Sequence, residues 1–441
     1  MQNSKIIVRY PPSPTGPFHI GNARTFLFNY LFAKQNGGQI VFRLEDTDKE
    51  RSKKEYADDI VENLKWLGIE PDWSTMIKQS ERTGVYKKYL QNLIDEGKAY
   101  LSKEEPKEEG QREEVIRFKN PNKQIKFNDL IRGEIEFNTT ELGNFVIAKS
   151  LEEPVYHLAV VVDDFEMGVT HILRGDDGIS NTPRQILIQE AIGAPRPIYA
   201  HLPLMIDTDK TKLSKRKHGE KVSVTYYRNA GFMPQAMINF LAMIGWNPGT
   251  DEEIWSTEEL IKVFDLEKVQ KKSGVFNAEK LRWINKEYMK LQKDNTVGLI
   301  NQKLEEKFKN AAIHPKLTET LFERIEVISD IDELAQNGEL DYFFSKPELD
   351  KEKICWKNQT PEDAKTKLQK VLEILNDKDL PAQAGKIMQL AEREGKGDVL
   401  WPLRYCLSGK EKSPDPMTLL DILGVEESKE RINCTIEKLK I

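Results

Sequence analysis

Residues 5–44 restrict the fold of this chain most, because they read as a strand, a loop, a helix and a second strand in direct succession. Residues 5–10 (KIIVRY) and 39–44 (QIVFRL) are apolar and β-branched, as expected of buried strands. Residues 22–35 carry apolar side chains at helical spacing, and residues 36–38 (NGG) form a typical helix end. Such a unit builds a parallel sheet that binds ligands at the carboxyl ends of its strands.

Two polar segments suggest adenylyl transfer from ATP. The loop at residues 11–22 (PPSPTGPFHIGN) offers the imidazole of His19 and the backbone of Gly21 at a helix start, and residues 212–216 (KLSKR) offer two lysines. A carboxylate that attacks the α-phosphorus places charge on phosphoryl oxygens, so the protein must only position and stabilise. A glycine lets the nucleotide approach the backbone. Alone, each segment has an ordinary explanation, a loop-to-helix transition or a solvated lysine pair.

The order and spacing of five motifs resemble the bacterial-type glutamyl-tRNA synthetases, which are class I aminoacyl-tRNA synthetases. These motifs lie at residues 9–21, 42–51, 156–164, 171–177 and 212–216. The resemblance implies an α/β fold: a Rossmann-type parallel-sheet catalytic domain with an inserted α+β acceptor-binding domain, followed by helical stem-contact and anticodon-binding domains. Its expected boundaries are 1–82 and 151–205 for the two catalytic halves, 83–150 for the acceptor-end insertion, 206–290 for the stem-contact domain and 291–441 for the anticodon-binding region.

Coarser features place elements within these domains. Residues 115–119 and 133–137 alternate as strands do, and residues 103–110 read as an exposed charged linker. Residues 155–177 are expected to form a strand pair, with residues 181–185 opening a helix. Further helices are predicted at residues 236–246, 361–375 and 381–393.

The resemblance also assigns roles to single residues. The predicted catalytic residues are His19, Gly21, Lys212 and Lys215. The predicted glutamate-binding residues are Arg9, Ser13, Glu45, Tyr156 and Arg174. The predicted ATP-binding residues are Thr15, His19, Gly21, Asp177, Leu213 and Lys215.

Amino-acid selectivity follows from the arginines among them. Two guanidinium groups in one pocket suit a substrate with two carboxylates, although either arginine alone is more often a structural ion-pair partner. The glutaminyl enzymes of this family typically carry Cys where this chain has Arg174, which therefore favours glutamate. Glu45 is expected to take the substrate ammonium.

Several departures from the family pattern limit this transfer of roles. Position 22 is Asn instead of His, and position 160 is Val where some members have a substrate-contacting Asn. The insertion lacks the cysteines that hold zinc in some relatives, so no structural zinc is predicted. Cys355, Cys406 and Cys434 are too far apart to suggest a disulfide framework or a metal site.

The resulting expectation is ATP-dependent ligation of L-glutamate to tRNA(Glu) through a glutamyl-adenylate, with ATP entering as its Mg²⁺ complex. The sequence leaves charging of tRNA(Gln) open, and the resemblance favours a monomer. No apolar run spans a membrane and no signal-peptide layout is present, which favours a cytoplasmic protein. Alternatives are a non-catalytic RNA-binding paralogue and a tRNA-independent nucleotidyltransferase.

An RNA-binding role must be reconciled with a net charge of −6, which requires basic residues to gather on one face. Trp356 and Arg404 are candidates for reading the anticodon, whereas Trp401 is expected in the core.

Overall fold

The computed structural model describes residues 5–104, 114–309, 311–376 and 380–439. The chain divides into two compact units, Met1–Tyr288 and Met289–Ile441. Of the linker predicted at residues 103–110, only residues 103 and 104 belong to the described part.

The first unit contains thirteen described strands and ten helices that begin within it. The strands are β1 (Ile7–Tyr10), β2 (Gln39–Leu44), β3 (Asp72–Lys78), β4 (Ala99–Lys103), β5 (Glu114–Phe118), β6 (Gln124–Asp129), β7 (Gly133–Asn138), β8 (Phe145–Ser150), β9 (Glu153–Pro154), β10 (His171–Gly175), β11 (Ile198–Leu202), β12 (Met205–Asp207) and β13 (Gly274–Phe276). The helices are α1 (Ile20–Gln35), α2 (Lys54–Leu67), α3 (Thr83–Asp95), α4 (Tyr156–Glu166), α5 (Thr182–Ala191), α6 (Lys215–His218), α7 (Val224–Ala230), α8 (Pro234–Met243), α9 (Thr257–Val263) and α10 (Ala278–Leu291).

The predicted strand–helix–strand unit and the α/β fold class are confirmed. Strands β1, β2 and β3 form a parallel sheet in that order, with Ile7 opposite Gln39. Helix α1 begins two residues earlier than predicted, because the side chain of His19 caps it. The ring of Tyr10 stacks on Phe26 of α1 at 4.2 Å, which packs the helix against β1.

A second sheet joins the hairpin of β6 and β7 to strands β10 and β11. Its strand order is β10-β11-β6-β7, with β10 and β11 parallel and β6–β7 an antiparallel hairpin. Strand β6 meets β11 where Asp129 faces Tyr199. The strands predicted near residues 115–119 and 133–137 are present as β5 and β7. The hairpin therefore reaches the sheet that carries Arg174.

The strand pair predicted at residues 155–177 is wrong in its first half, where the chain forms helix α4. Seven consecutive residues of α4, from Leu158 to Asp164, are buried. A short apolar run that is buried on all sides cannot be assigned to strand or helix from periodicity. The three valines at 160–162 favour a strand, but this preference is weak beside tertiary packing.

The second unit is helical. Its helices are α11 (Lys293–Lys307), α12 (Pro315–Arg324), α13 (Asp330–Gln336), α14 (Pro361–Leu375), α15 (Leu380–Glu394), α16 (Lys396–Ser408), α17 (Pro416–Leu423) and α18 (Val425–Leu439). Helix α14 has its predicted bounds, and its start is set by Pro361 at the first helical position and by a capping box between Thr360 and Asp363. Within the described residues, no helix is long and apolar enough to cross a membrane.

The prediction that Trp401 of α16 lies in the core is wrong. Trp401 is half-buried, and its ring lies 4.9 Å from that of Trp356. The guanidinium of Arg404 sits 4.8 Å from the Trp401 ring centroid. The two predicted anticodon candidates and Trp401 thus form one cluster.

Candidate active site

One cavity of about 620 Å³ collects nearly all predicted site residues at the carboxyl ends of β1, β2 and β10. Those lining it are Arg9, Ser13, Thr15, His19, Gly21, Glu45, Tyr156, Arg174, Asp177, Lys212 and Leu213. Asn22 and Val160, two of the departures from the family pattern, line it as well. Lys215 does not line the cavity.

His19 is held in one tautomer by the helix that it caps. Its Nδ1 accepts a hydrogen bond from the backbone N–H of Gly21 at 2.9 Å. A neutral ring therefore carries its proton on Nε2 and can donate it to a ligand. Burial lowers the pKa of His19, and the nearby Lys212 and His218 lower it further. The ring is thus neutral at pH 7.

Gly21 leaves room for that imidazole. A Cβ built on Gly21 would lie 3.0 Å from Nδ1 of His19, closer than nearly all side-chain contacts. A side chain at this position was expected to collide with the nucleotide. In the structure it would also press on the imidazole of His19 and displace the ring.

The lysine segment follows β12 and is tied back to the His19 loop. The backbone of Lys212 bridges to Ile206, and that of Ser223 bridges to His19. Both lysines are exposed, but only Lys212 lines the cavity, and Lys215 is the first residue of α6. In the described part of the chain, neither lysine has an ion-pair partner, while Lys217 pairs with Asp209. Lys212 and Lys215 are therefore available to a phosphate ligand.

A network of buried charged side chains holds Arg9 and Glu45 in place. The fully buried guanidinium of Arg43 donates to Asp164 at 2.8 Å and to Glu45 at 3.1 Å. Arg9 lies 3.6 Å from the same Asp164 carboxylate and donates to the backbone oxygen of Leu173. Burial raises the pKa of Glu45, and Arg43 opposes that rise. Arg43 and Asp164 thus fix both side chains at the cavity wall.

Arg174 is held by three side chains. Its Nη1 donates to Gln185 at 2.7 Å, its Nη2 to Thr182 at 2.8 Å and its Nε to Nε2 of His201 at 3.1 Å. Gly178 gives it room, since a Cβ there would lie 2.5 Å from its Nε. The guanidinium therefore meets the cavity in one fixed orientation.

Sequence reasoning missed Arg24, which also lines the cavity. Its Nε donates to the oxygen of Ile244 and its Nη1 to that of Pro203, each at 2.8 Å. Burial lowers its pKa to about 10, against the opposing effect of Asp176. A charged arginine among the mostly apolar buried residues of α1 was the available signal, because buried charges need partners.

Comparisons with known proteins agree with this geometry. The family description "tRNA synthetases class I (E and Q), catalytic domain" fits residues 5–114 and 102–283, and "Anticodon binding domain" fits residues 278–436. The glutamate–tRNA ligase of Aquifex aeolicus is 39% identical over 99% of this chain and 100% of its own length. That of Carboxydothermus hydrogenoformans is 38% identical, with 96% and 98% covered.

A solved structure extends the agreement to three dimensions. The crystal structure of a glutamate tRNA ligase from Elizabethkingia meningosepticum, in complex with its amino acid, matches with a TM-score of 0.87 and 33% identity, covering 99% of this chain and 100% of that one. The chain therefore belongs to the class I tRNA synthetases of the E and Q type.

Proposed function

We propose that the chain ligates L-glutamate to the 3′ end of tRNA(Glu) and converts ATP into AMP and pyrophosphate. One observation carries the proposal: Arg9 and Arg174 line the same cavity as His19 and Lys212. The first pair suits an amino acid with two carboxylates, and the second pair suits the phosphates of ATP.

In the first step, the α-carboxylate of glutamate attacks the α-phosphorus of ATP, which enters as its Mg²⁺ complex. The bond between the α-phosphorus and the bridging oxygen breaks, and pyrophosphate leaves. The Nε2–H of His19 donates to a phosphate oxygen, while Lys212 and Lys215 stabilise the charge on the departing group. Thr15, Gly21, Asp177 and Leu213 shape the remaining nucleotide site.

Glutamate is selected by charge. Arg174 takes the side-chain carboxylate, Glu45 takes the ammonium group, and Arg9, Ser13 and Tyr156 complete the wall. Glutamine would leave part of the Arg174 fork without an anionic acceptor in a buried setting, which is costly.

In the second step, a ribose hydroxyl of the tRNA end attacks the carbonyl carbon of the adenylate, and AMP leaves. We assign the acceptor end to residues 83–150, which lie between catalytic halves at 1–82 and 151–205. We assign the stem to residues 206–290 and the anticodon loop to residues 291–441. Trp356, Trp401 and Arg404 are suited to stack on unpaired bases.

Two finer points rest on the family resemblance. We propose a monomer, which a mass measurement in solution tests. Charging of purified tRNA(Gln) distinguishes an enzyme for one tRNA from an enzyme for both.

The central experiment is ATP–pyrophosphate exchange with glutamate or glutamine, each with and without total tRNA. We expect exchange with glutamate and tRNA together. Exchange with glutamine would contradict the role of Arg174. Exchange without any tRNA binding would favour a nucleotidyltransferase, and tRNA binding without any exchange would favour a non-catalytic RNA-binding paralogue.

A further inference from the structure

His201 of β11 is a buried titratable residue that the proposed chemistry does not use. Its side chain is fully buried and does not line the cavity. Its Nδ1 lies 2.6 Å from Oδ2 of Asp129, and its Nε2 lies 3.1 Å from Nε of Arg174. Asp129, at the end of β6, is 1% exposed. The three side chains form a continuous chain from the inserted hairpin to the specificity arginine.

The partners of the ring determine where its proton resides. The Nε–H of Arg174 can only donate, so Nε2 of His201 must be the unprotonated acceptor. The carboxylate of Asp129 accepts, so Nδ1 carries the proton. Burial lowers the pKa of His201, and Asp129 opposes that shift. The geometry thus requires a neutral ring in the Nδ1–H tautomer.

Asp129 is itself locked by backbone donors. Its Oδ1 accepts from the N–H groups of Ile131 at 3.0 Å and Arg132 at 2.9 Å. The backbone N–H of His201 lies 3.0 Å from Oδ2. These bonds hold the carboxylate in place within the β6–β7 turn, so it can orient the imidazole with little loss of side-chain freedom.

The bond from His201 also sets how many donors Arg174 can offer a ligand. A guanidinium has five N–H donors. Three serve His201, Gln185 and Thr182. Two remain, the number that a bidentate carboxylate contact uses.

We propose that the Asp129–His201 pair is the positioning element that aims Arg174 at the side-chain carboxylate of glutamate. This inference rests on the proposed function. With the pair intact, the plane of the guanidinium is fixed and its two remaining N–H groups face the cavity. Without an acceptor at Nε, only Gln185 and Thr182 hold the guanidinium, so its plane is less restrained and the bidentate geometry is weakened. The inserted hairpin thereby contributes to amino-acid selection as well as to its proposed tRNA contact.

Three variants test the pair in tRNA charging, with KM measured separately for glutamate and ATP. His201→Leu removes the acceptor, and we expect KM for glutamate to rise about 10- to 100-fold, because small misplacements of a binding group have effects of this size. KM for ATP should stay within about twofold, as the nucleotide-facing residues are untouched. His201→Gln can return an oxygen near the Nε2 position and should recover most of the loss.

Asp129→Asn is the sharper variant because it preserves shape. Its oxygen can keep the turn bonds to Ile131 and Arg132, which leaves its NH₂ facing Nδ1 of His201. The ring would then carry its proton on Nε2, opposite the Nε–H of Arg174. We expect a raised KM for glutamate and an Nε2–H tautomer in ¹⁵N spectra of histidine-labelled protein, against Nδ1–H in the wild type.

His171→Gln is the matched control, since His171 lies on the same strand as Arg174 but outside the cavity lining. Its KM for glutamate should match the wild type. An unchanged KM in His201→Leu, or an Nε2–H tautomer in the wild type, would overturn the inference while the wild type still charges tRNA with glutamate. A wild type that does not charge glutamate would instead overturn the proposed function on which the inference rests. If His201→Leu does not fold, Asp129→Asn and the wild-type spectra decide the matter.

Discussion

The proposed mechanism gives His19 two tasks on two different nitrogens, so one substitution can separate them. Nδ1 caps α1, while Nε2 makes no hydrogen bond within the described part of the chain and is the proposed donor to ATP. Asparagine is a good N-cap but has no donor at the Nε2 position. We expect His19→Asn to lower kcat about 100- to 1,000-fold, as for the loss of one transition-state donor, with little change in the melting temperature. Steady-state kinetics beside thermal unfolding measures both.

The same residue predicts a pH dependence. Because burial, Lys212 and His218 lower the pKa of His19, protonation of its ring begins below the ordinary value of about 6.5. Its protonation would also remove the acceptor for Gly21. Activity should therefore be independent of His19 from neutral pH upward and fall only on acidification. An acidic limb with a pKa at or above 6.5 that disappears in His19→Asn would contradict this.

Gly21→Ala should separate stability from activity. Alanine in a helix is normally about 1 kcal/mol more stable than glycine. Here its Cβ would lie 3.0 Å from Nδ1 of His19 and displace the ring. We expect kcat to fall at least about tenfold while the free energy of unfolding changes by less than about 1 kcal/mol.

Gly298→Ala is the control for this pair of measurements, because nothing lies within 4 Å of a Cβ at Gly298 in α11. It should gain stability and leave kcat unchanged. An equal loss of activity in both variants would remove His19 from the explanation.

How far single residues could be predicted depends on where their partners lie. His19 and Gly21 lie in one short motif after a strand end, so the sequence alone suggests their chemistry. Arg43 and His201 act through partners that lie 121 and 72 residues away. No local pattern marks such pairs, and only the folded sheet brings them together. Lys215 matched the motif, but its place outside the cavity lining depends on the path of the loop.

Among the elements, the βαβ unit was predictable because local signals agree with one another. Strand β2 has its predicted bounds, since residues 36–38 end α1 directly before it. Helix α4 could not be predicted, because its buried residues show no helical periodicity and its three valines favour a strand. What stabilises α4 is tertiary: it packs against α5 and shares buried polar contacts with α3 and β2.

Asp163 of α4 provides the test of those contacts. Its buried carboxylate accepts from Arg82 at 2.8 Å, from Tyr86 at 2.7 Å and from Gln79 at 2.9 Å, and Arg43 lies 3.7 Å away. Asp163→Ala would leave two arginines without this counter-charge. We expect it to lower the free energy of unfolding by about 3–5 kcal/mol in urea titrations.

Glu166→Ala is matched to it, because Glu166 lies on the same helix and bonds Tyr89 of the same α3, yet is exposed. A surface contact of this kind should contribute about 1 kcal/mol or less. Equal losses in the two variants would show that burial of the Asp163 network does not determine its stabilisation.

For the chain as a whole, the net charge gives no indication of a nucleic-acid partner. The net charge is −6, and many surface lysines are paired with carboxylates, such as Lys123 with Glu190 and Lys370 with Glu394. Affinity for RNA must then come from limited clusters in which cations accompany aromatic rings. The Trp356–Trp401 pair, with Arg404 over Trp401 and Lys357 over Trp356, is such a cluster in the second unit.

This aromatic cluster predicts an effect on tRNA binding that leaves glutamate binding unchanged. Stacking of a base on an aromatic ring contributes about 1–3 kcal/mol, so Trp356→Ala should raise KM for tRNA about 5- to 100-fold. KM for glutamate at saturating tRNA should not change, because the cavity proposed to hold the amino acid lies in the first unit. Trp356→Phe keeps a ring and should raise KM for tRNA much less.

Cys406, which is fully buried in the second unit, reports the folding of that unit, since its thiol should stay unreactive in each variant. A raised KM for tRNA together with a reactive Cys406 would assign the effect to unfolding, whereas an unchanged KM with Cys406 protected would remove Trp356 from the tRNA contact.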